Sequence, residues 1–522
     1  MNLVERLLEQ AAARPGALAL RHRGRSWTFR ELEARTARGA AFLRAQGLGK
    51  DDPVLIFVPM GLDLYEVLLS VLRIGAVAVF LDPSAGDAHV AKCCARIPPK
   101  GYLGTPMAQV LRWWVPALRR IPRRIVTARY WPFAIPFGRG GGKDDHLEPR
   151  AEDDAALVTF TSGSTGEPKA AVRSHGFLLT QHAVLARTLR HEAGLLDLAT
   201  LPVFVLANLA SGQGTLIPDA DLRSPGRIKP GPVLDELAAH RPATCAASPA
   251  FFERLAEGAE ARGQALDSFR SLYTGGAPVF PGLLQRLQAL APQAEVVAVY
   301  GSTEAEPIAE MPYSEMSAAD LAAMAAGQGL LAGPPVEPEI RLRILRDAWG
   351  TPLGHLDGAA FDAMTCPRGE AGEIVVTGGH VLKGYFEGRG DEETKFRVDG
   401  EVWHRTGDAG RLDAEGRVWL LGRCSARIRD AKGELFPFTV ETAALQVEGV
   451  RRAALAAFRD RRILVVEGSG IPEEAPDPDE VKASLAWAGL DAVRVARIPL
   501  DRRHNAKVDY PGLLALLERL ER

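Results

Sequence analysis

Little in this 522-residue chain points to the cell exterior, to a membrane span or to nucleic acid. Its five cysteines, Cys93, Cys94, Cys245, Cys366 and Cys424, are scattered. They show neither metal-ligand spacing nor an even disulfide framework, so a disulfide scaffold is excluded and a reducing, cytoplasmic setting is expected. No apolar run reaches the roughly eighteen residues that a spanning helix needs. Neither sign of charge is in excess: 63 Lys+Arg against 65 Asp+Glu leave a net charge of −2, and no nucleic-acid partner is expected. Met1-Asn-Leu-Val-Glu-Arg leads directly into an amphipathic helix pattern that carries acids, unlike a signal peptide. No internal repeat is visible. What the chain has in quantity is glycine (52) and proline (36), which suits a loop-rich α/β enzyme better than a helical bundle. Its length implies about two to four domains or subdomains.

Read in order, Ala17 to Phe29 forms two short strands about a turn at Gly24, and Thr28 caps a helix with Glu31 placed for a capping box. Val54–Val58, a helix over Leu62–Ile74 and Ala76–Leu81 have the spacing of a βαβ unit in a parallel sheet. Residues 107–140 interleave aromatics with arginines, from Trp113 and Trp114 through Arg119, Arg120, Arg123 and Arg124 to Tyr130, Trp131 and Phe133. The simpler reading is a helix that buries Trp113 and Trp114 against the sheet. The sharper one is a basic, aromatic surface that meets a membrane or a pathway protein.

Beyond the Gly-rich link at Gly138–Gly142, strands and helices alternate to residue 300. Strands are expected at Leu157–Phe160, near Ala199–Val203, around Ala243–Ala247, at Arg270–Thr274 and at Val296–Tyr300, with helices between them. This is the pattern of a doubly wound sheet, whose ligands bind at the strand ends. After about residue 350 short strands dominate, and 440–522 reads as a small separate α+β unit.

The most informative stretch is Thr161-Ser162-Gly163-Ser164-Thr165-Gly166-Glu167-Pro168-Lys169, which follows an apolar strand. Glycine lets backbone N–H groups approach a ligand closely, hydroxyls add donors and the lysine adds charge, a combination suited to polyphosphate oxygens. It is not a Walker-type loop, because the Gly-Lys-Ser/Thr ending is missing. The order of residues resembles the phosphate-loop signature of the adenylate-forming enzymes: acyl-CoA synthetases, adenylation domains and luciferases.

Five further stretches match that family in order. Gly275-Gly276-Ala277-Pro278 resembles the turn that packs on adenine. Tyr300-Gly301-Ser302-Thr303-Glu304 resembles the motif in which tyrosine stacks on adenine, threonine meets phosphate and glutamate holds Mg²⁺. Arg405-Thr406-Gly407-Asp408 resembles the motif whose aspartate accepts from both ribose hydroxyls, and Gly422-Arg423 the hinge motif whose arginine reaches ribose or phosphate. Lys507, in Arg503-His504-Asn505-Ala506-Lys507, stands where the family carries its catalytic lysine; His504 reads as structural.

The resemblance therefore implies a large N-terminal domain, 1–424, of doubly wound sheets with a β-rich subdomain at about 350–424. A small mobile α+β domain, 425–522, follows. It implies Lys507, Thr165 and Glu304 as catalytic residues, with Glu304 as the metal ligand. It implies ATP contacts from Thr161, Ser162, Gly163, Ser164, Thr165, Gly166, Lys169, Gly276, Ala277, Pro278, Tyr300, Gly301, Ser302, Thr303, Asp408 and Arg423. The cofactors are ATP and Mg²⁺, with CoA as a further candidate, and the substrate is a small carboxylic acid.

Departures from the pattern bear on the step after adenylation. Val205 occupies the slot where CoA ligases carry a gating histidine, Ser425 stands at the hinge in place of Asp or Lys, and Ala506 replaces a glycine. Gly104–Arg112 and Arg503–Lys507 resemble a narrower, fatty acid–CoA ligase-like branch that includes the β-lactone synthetases of olefin biosynthesis. The expectation is AMP-forming activation of a fatty or 3-hydroxy fatty acid, with release of pyrophosphate and then intramolecular β-lactone formation. A CoA thioester is the alternative product. A silent adenylate-binding protein that docks a partner through 107–140 is the alternative class, against which the retention of Glu304, Asp408, Arg423 and Lys507 together argues.

Overall fold

Thr28 ends a strand and starts a helix, and the way it does so sets the pattern for the chain. Its hydroxyl accepts from Glu31 N at 3.3 Å and its own N–H donates to the Glu31 carboxylate at 2.8 Å, closing the expected capping box at the head of helix Phe29–Ala45. The strands before it, Leu18–His22 and Arg25–Thr28, turn at Gly24 with φ +71°. The computed structural model describes all residues except 83–85, 139–141, 143, 163–167, 347, 469–474, 502–505 and 522. The chain divides into two units: residues 1–219, 242–245 and 379–392, and residues 220–241, 246–378 and 393–522.

In the first unit, strand Pro53–Phe57, helix Leu62–Arg73 and strand Val77–Phe80 form the expected parallel βαβ unit. The sheet they belong to runs in the order Ile135–Pro136, Arg123–Val126, Gly101–Gly104, Pro53–Phe57, Val77–Phe80, Ala155–Ser162, Pro168–Ser174. Every neighbouring pair is parallel except the last. Leu55, Val79, Tyr102, Leu118 and Val158 belong to one buried cluster. Burial of each such side chain contributes roughly 1.5–3 kcal/mol before chain entropy is charged against it. A second set of strands in this unit runs Leu196–Ala199, Gly214–Leu216, Leu18–His22, Arg25–Thr28.

Two local expectations are corrected here. The strand expected through Val203 ends at Ala199, because Pro202 opens a helix, Pro202–Ser211, that closes on Gly212 at φ +71°. The single helix expected to bury Trp113 and Trp114 is instead three pieces: Pro106–Val110, a 3₁₀ turn Leu111–Trp113 and Pro116–Arg119. Pro116 lacks the N–H that a continuous helix would use and holds Val115 in extended backbone. Trp113 and Trp114 are 55% and 63% exposed.

In the second unit, Ser271–Gly275 and Glu295–Ser302 are parallel, and the latter turns back at Thr303-Glu304 into the antiparallel strand Ala305–Pro312. The β-rich part is an antiparallel sheet ordered Leu330–Gly333, Val418–Arg423, Glu401–Leu412, Gly372–Gly378, Ile340–Leu345. Further along, Arg452–Phe458, Arg461–Glu467 and Ala492–Val495 form a three-stranded sheet. Its alternate residues feed two clusters, Leu455, Leu464 and Val466 in one and Ala454, Ile463 and Val465 in the other, so both faces are covered. Among the described residues no helix is long and apolar enough to cross a membrane.

Glu441 is the unusual member of this last core. It lies buried in helix Pro437–Ala444 and its carboxylate accepts from Leu455 N at 3.0 Å. Burial pushes its pKa up to about 8. A carboxyl raised in the folded state contributes stability that is complete below its unfolded value and is lost as pH rises through the folded one. Glu441→Gln keeps the acceptor and removes the ionisation. The variant should therefore be more stable than the parent at about pH 9, by a few kcal/mol, unfold there at a higher temperature, and show no such advantage at about pH 4. A thermal-unfolding series across pH checks this, and an advantage independent of pH would refute it.

Candidate active site

In the first unit the strands Ala155–Ser162 and Pro168–Ser174 pair with Thr161 opposite Lys169 and Ser162 opposite Pro168. The residues between them, including Gly163, Ser164, Thr165 and Gly166, lie outside the described residues, as do the side chains of Thr161 and Ser162. Lys169 itself is buried. Its ammonium donates to Gly390 O at 3.4 Å and stands 5.6 Å from the centre of the Tyr385 ring. Gly390 has φ +95°, and a Cβ there would sit 2.8 Å from Lys169 Cε, so this close approach needs glycine. Arg96 ties the same parts together, donating to Pro168 O at 2.8 Å, Phe386 O at 3.1 Å and Arg389 O at 3.2 Å. Nothing in the sequence around Arg96 signalled that role, because its acceptors are backbone carbonyls nearly three hundred residues away in two of the three cases.

The second unit gathers residues that resemble an adenosine subsite. Gly275 and Val299 are register partners on parallel strands, so the Gly276-Ala277-Pro278 turn and Tyr300-Gly301 leave one sheet edge side by side. A Cβ on Gly275 would meet Val299 O at 2.5 Å. The Tyr300 hydroxyl donates to Asp408 Oδ2 at 2.8 Å, and Arg423 Nη1 donates to Asp408 Oδ1 at 2.8 Å and to Thr406 O at 3.1 Å. Asp408 and Arg423 are themselves paired across adjacent strands. Burial, and then the Asp408 carboxylate, push the Tyr300 phenol well above its usual pKa, so it stays protonated and donates. Asp408 in turn raises the Arg423 guanidinium. Each carboxylate oxygen has two acceptor directions, so both oxygens of Asp408 retain one.

Within the same motif Arg405 points the other way. It is buried, bonding Glu373 Oε2 through Nε at 2.9 Å and Nη2 at 2.5 Å, and Thr351 O through Nη1 at 2.7 Å. Thr406 donates to Ile374 O at 2.8 Å and accepts from Asp408 N at 3.0 Å. The inward Arg405 and Thr406 thus hold the strand that presents Asp408. Ser302 pairs with Ala305 across the hairpin, which puts Thr303 and Glu304 in its turn.

Lys507 is exposed, and among the described residues its ammonium makes no hydrogen bond or ion pair. Its backbone is held by Asp501, whose carboxylate accepts from Ala506 N at 3.2 Å and Lys507 N at 3.0 Å, while Asp501 N donates to Lys507 O at 2.8 Å. Arg503, His504 and Asn505 lie outside the described residues. Tyr510, which opens the helix after Lys507, is pushed above its ordinary pKa by burial first and then by Glu441, with Arg423 opposing. Asp501 was not singled out from sequence, since an aspartate six residues before a lysine carries no motif.

Val205 is fully buried inside helix Pro202–Ser211. Ser425 is exposed, in a 3₁₀ turn, Cys424–Ala426, between two strands.

A family model described as AMP-binding enzyme matches residues 7–386. A curated relative named olefin beta-lactone synthetase, from Stenotrophomonas maltophilia, is 31% identical over 97% of this chain and 96% of its own. A feruloyl-CoA synthase from Amycolatopsis is 28% identical over 92% and 90%. Among solved structures, the amide bond synthetase McbA from Marinactinospora thermotolerans aligns with a TM-score of 0.82 at 20% identity, covering 98% of this chain and 99% of that one. ATP-bound MatB from Rhodopseudomonas palustris aligns at 0.79 and 22%, covering 100% and 99%. The chain belongs to the AMP-binding enzyme family. It is an adenylate-forming acid ligase, uses ATP and acts on a small carboxylic acid.

Proposed function

We propose that the enzyme activates a 3-hydroxy fatty acid as its acyl-adenylate and closes it to a β-lactone. In the first step a carboxylate oxygen attacks the α-phosphorus of ATP and pyrophosphate leaves. In the second the substrate's own 3-hydroxyl oxygen attacks the acyl carbon. The C–O bond of the ring forms, the bond to AMP breaks, AMP leaves with the electron pair, and the hydroxyl proton passes to solvent.

The first step needs positioning and charge neutralisation rather than a nucleophile on the protein. Tyr300 and Gly276–Pro278 hold adenine, Asp408 accepts from the ribose hydroxyls with Arg423 beside it, and the 161–169 loop with Thr303 holds the phosphates. Lys507 stabilises the charge of the transition state. Domain 425–522, turning about Ser425 against domain 1–424, carries Lys507 to the phosphate.

Glu304 offers a hard carboxylate oxygen in the turn between two antiparallel strands. That donor set suits Mg²⁺, which takes one or two carboxylates and completes its shell with water and substrate phosphates. Glu304 would hold the ion, which would neutralise phosphate charge.

The observation that carries the lactone reading is Val205. An isopropyl side chain buried in the slot of the gating histidine has no donor or charge to offer a thiol substrate. An intramolecular hydroxyl needs no such gate, and effective molarities for well-placed internal groups reach ~10⁵ M or more. The ring is strained, and adenylation supplies the leaving group that drives its closure.

The test is mass spectrometry of products from a 3-hydroxy fatty acid with ATP and Mg²⁺, with and without CoA. AMP release without CoA, together with a product lighter than the acid by one water, is expected. AMP release only with CoA, and a thioester as sole product, would make the enzyme a CoA ligase.

A further inference from the structure

From residue 88 to residue 143 the chain contains no aspartate or glutamate, while arginines recur at 112, 119, 120, 123, 124 and 129. The same region carries six of the eleven exposed large hydrophobic side chains among the described residues, all between 107 and 135. Met107 is 76% exposed, Trp114 63%, Tyr130 75% and Phe133 78%. Scattered single apolar side chains on a surface need no explanation, but a cluster of this density does.

The topology brings these side chains together. Met107, Trp113 and Trp114 follow the carboxyl end of strand Gly101–Gly104, and Arg129, Tyr130 and Phe133 follow that of Arg123–Val126. The two strands are parallel neighbours, so both loops leave the same edge of the sheet. They are tied to each other underneath. Buried Arg112 donates to Phe133 O at 3.2 Å and to Gln109 Oε1 at 2.8 Å, and Gln109 donates to Ile125 O at 2.8 Å. Arg119 donates to Arg112 O at 2.8 Å and Trp113 O at 2.7 Å. The polar groups are thus used to brace the loops from below while the rings are left outside. Phe133 also has φ +64°, a conformation a bulky residue rarely adopts, and it is held there with its ring in solvent.

We propose that the loops 105–114 and 127–135 dock this enzyme on an anionic lipid bilayer, with Met107, Trp113, Trp114, Tyr130 and Phe133 entering the headgroup boundary and exposed Arg119, Arg120 and Arg129 meeting lipid phosphates. Aromatic side chains favour that boundary, where an apolar ring body and a polar tip are both accommodated. Charge of one sign, with no acid interleaved, complements a surface of anionic headgroups. The rings stand out from two loop tips rather than lining a groove, a shape for insertion rather than for enclosing a partner's side chain. With no helix among the described residues long enough to span a membrane, the attachment is peripheral. The proposal is independent of what the enzyme makes.

Flotation of the full chain with phosphatidylcholine vesicles, with and without phosphatidylglycerol, tests it. The parent should float with the anionic vesicles at least roughly tenfold more than with the neutral ones, and less as salt is raised. Each elementary charge near such a surface is worth roughly fivefold in binding, so R120E/R129E should lower flotation by more than about tenfold, and W114A/F133A should do so at low and high salt alike. All four side chains are exposed, so pyrophosphate exchange with a short soluble acid and the thermal midpoint should stay at parental values in both variants. Absence of flotation, or flotation undiminished in both variants, overturns the proposal. So does a change of oligomeric mass in the variants without any vesicle binding by the parent, which would make the surface a protein interface.

Discussion

Lys507→Ala should reduce acid-dependent pyrophosphate exchange by on the order of a hundredfold or more, with ATP binding and the thermal midpoint almost unchanged. Attack on the α-phosphorus concentrates negative charge on the oxygens between carboxylate and phosphate, and a preorganised cation there is worth about 3–4 kcal/mol of barrier. The structure makes this a clean substitution. The ammonium is exposed and the loop is held through backbone N–H groups by Asp501, so truncation leaves no buried orphan and no cavity. Stopped pyrophosphate exchange alongside ATP titration by calorimetry reads both effects. Exchange within a few fold of the parent would remove Lys507 from the reaction, and loss of ATP binding in step with activity would reassign it to the ground state.

Arg405→Met is the second large effect, and it falls on stability. Arg405 and Glu373 are each only 1% exposed at the side chain. Removing the guanidinium leaves a carboxylate in the core without its Arg405 counter-charge and takes a donor from Thr351 O as well. Breaking a buried pair from one side costs about 3–5 kcal/mol, whereas replacing both partners by apolar groups is often close to neutral. Arg405→Met should therefore lower the unfolding midpoint sharply, and R405M/E373L should recover a large part of the loss. Because Arg405 and Asp408 lie on the same strand, the single variant should also weaken nucleotide binding, although Arg405 faces away from it. A single variant as stable as the parent, or a double variant no better than the single one, would show that the pair does not anchor the strand.

What was legible in the sequence is local. The capping box at Thr28, the βαβ unit over residues 53–80 and the α+β character of the C-terminal hundred residues rest on hydrogen bonds a few residues apart and on side-chain periods, and each was found where expected. The family was legible for a related reason: the motifs are short runs whose order along the chain survives without coordinates, and the family match over residues 7–386 agrees with that assignment. Boundaries suffered where proline intervened, at Pro202 and Pro116, because one missing N–H outweighs the apolar pattern on either side.

The tertiary structure alone decided everything that depends on distance through space. No local rule places the Tyr300 hydroxyl on Asp408, 108 residues away, or the Lys169 ammonium at Gly390 O, 221 residues away. Nor does any local rule distinguish Arg405, held inward by Glu373, from Asp408 three residues later, turned towards Tyr300 and Arg423. Glu441 and Trp114 make the same point from opposite sides: an ionisable residue went into the core and an indole stayed outside. Residue type sets what each exchange with water costs, but whether a partner such as Leu455 N stands ready to offset it depends on how distant segments pack, and composition and period carry no record of that.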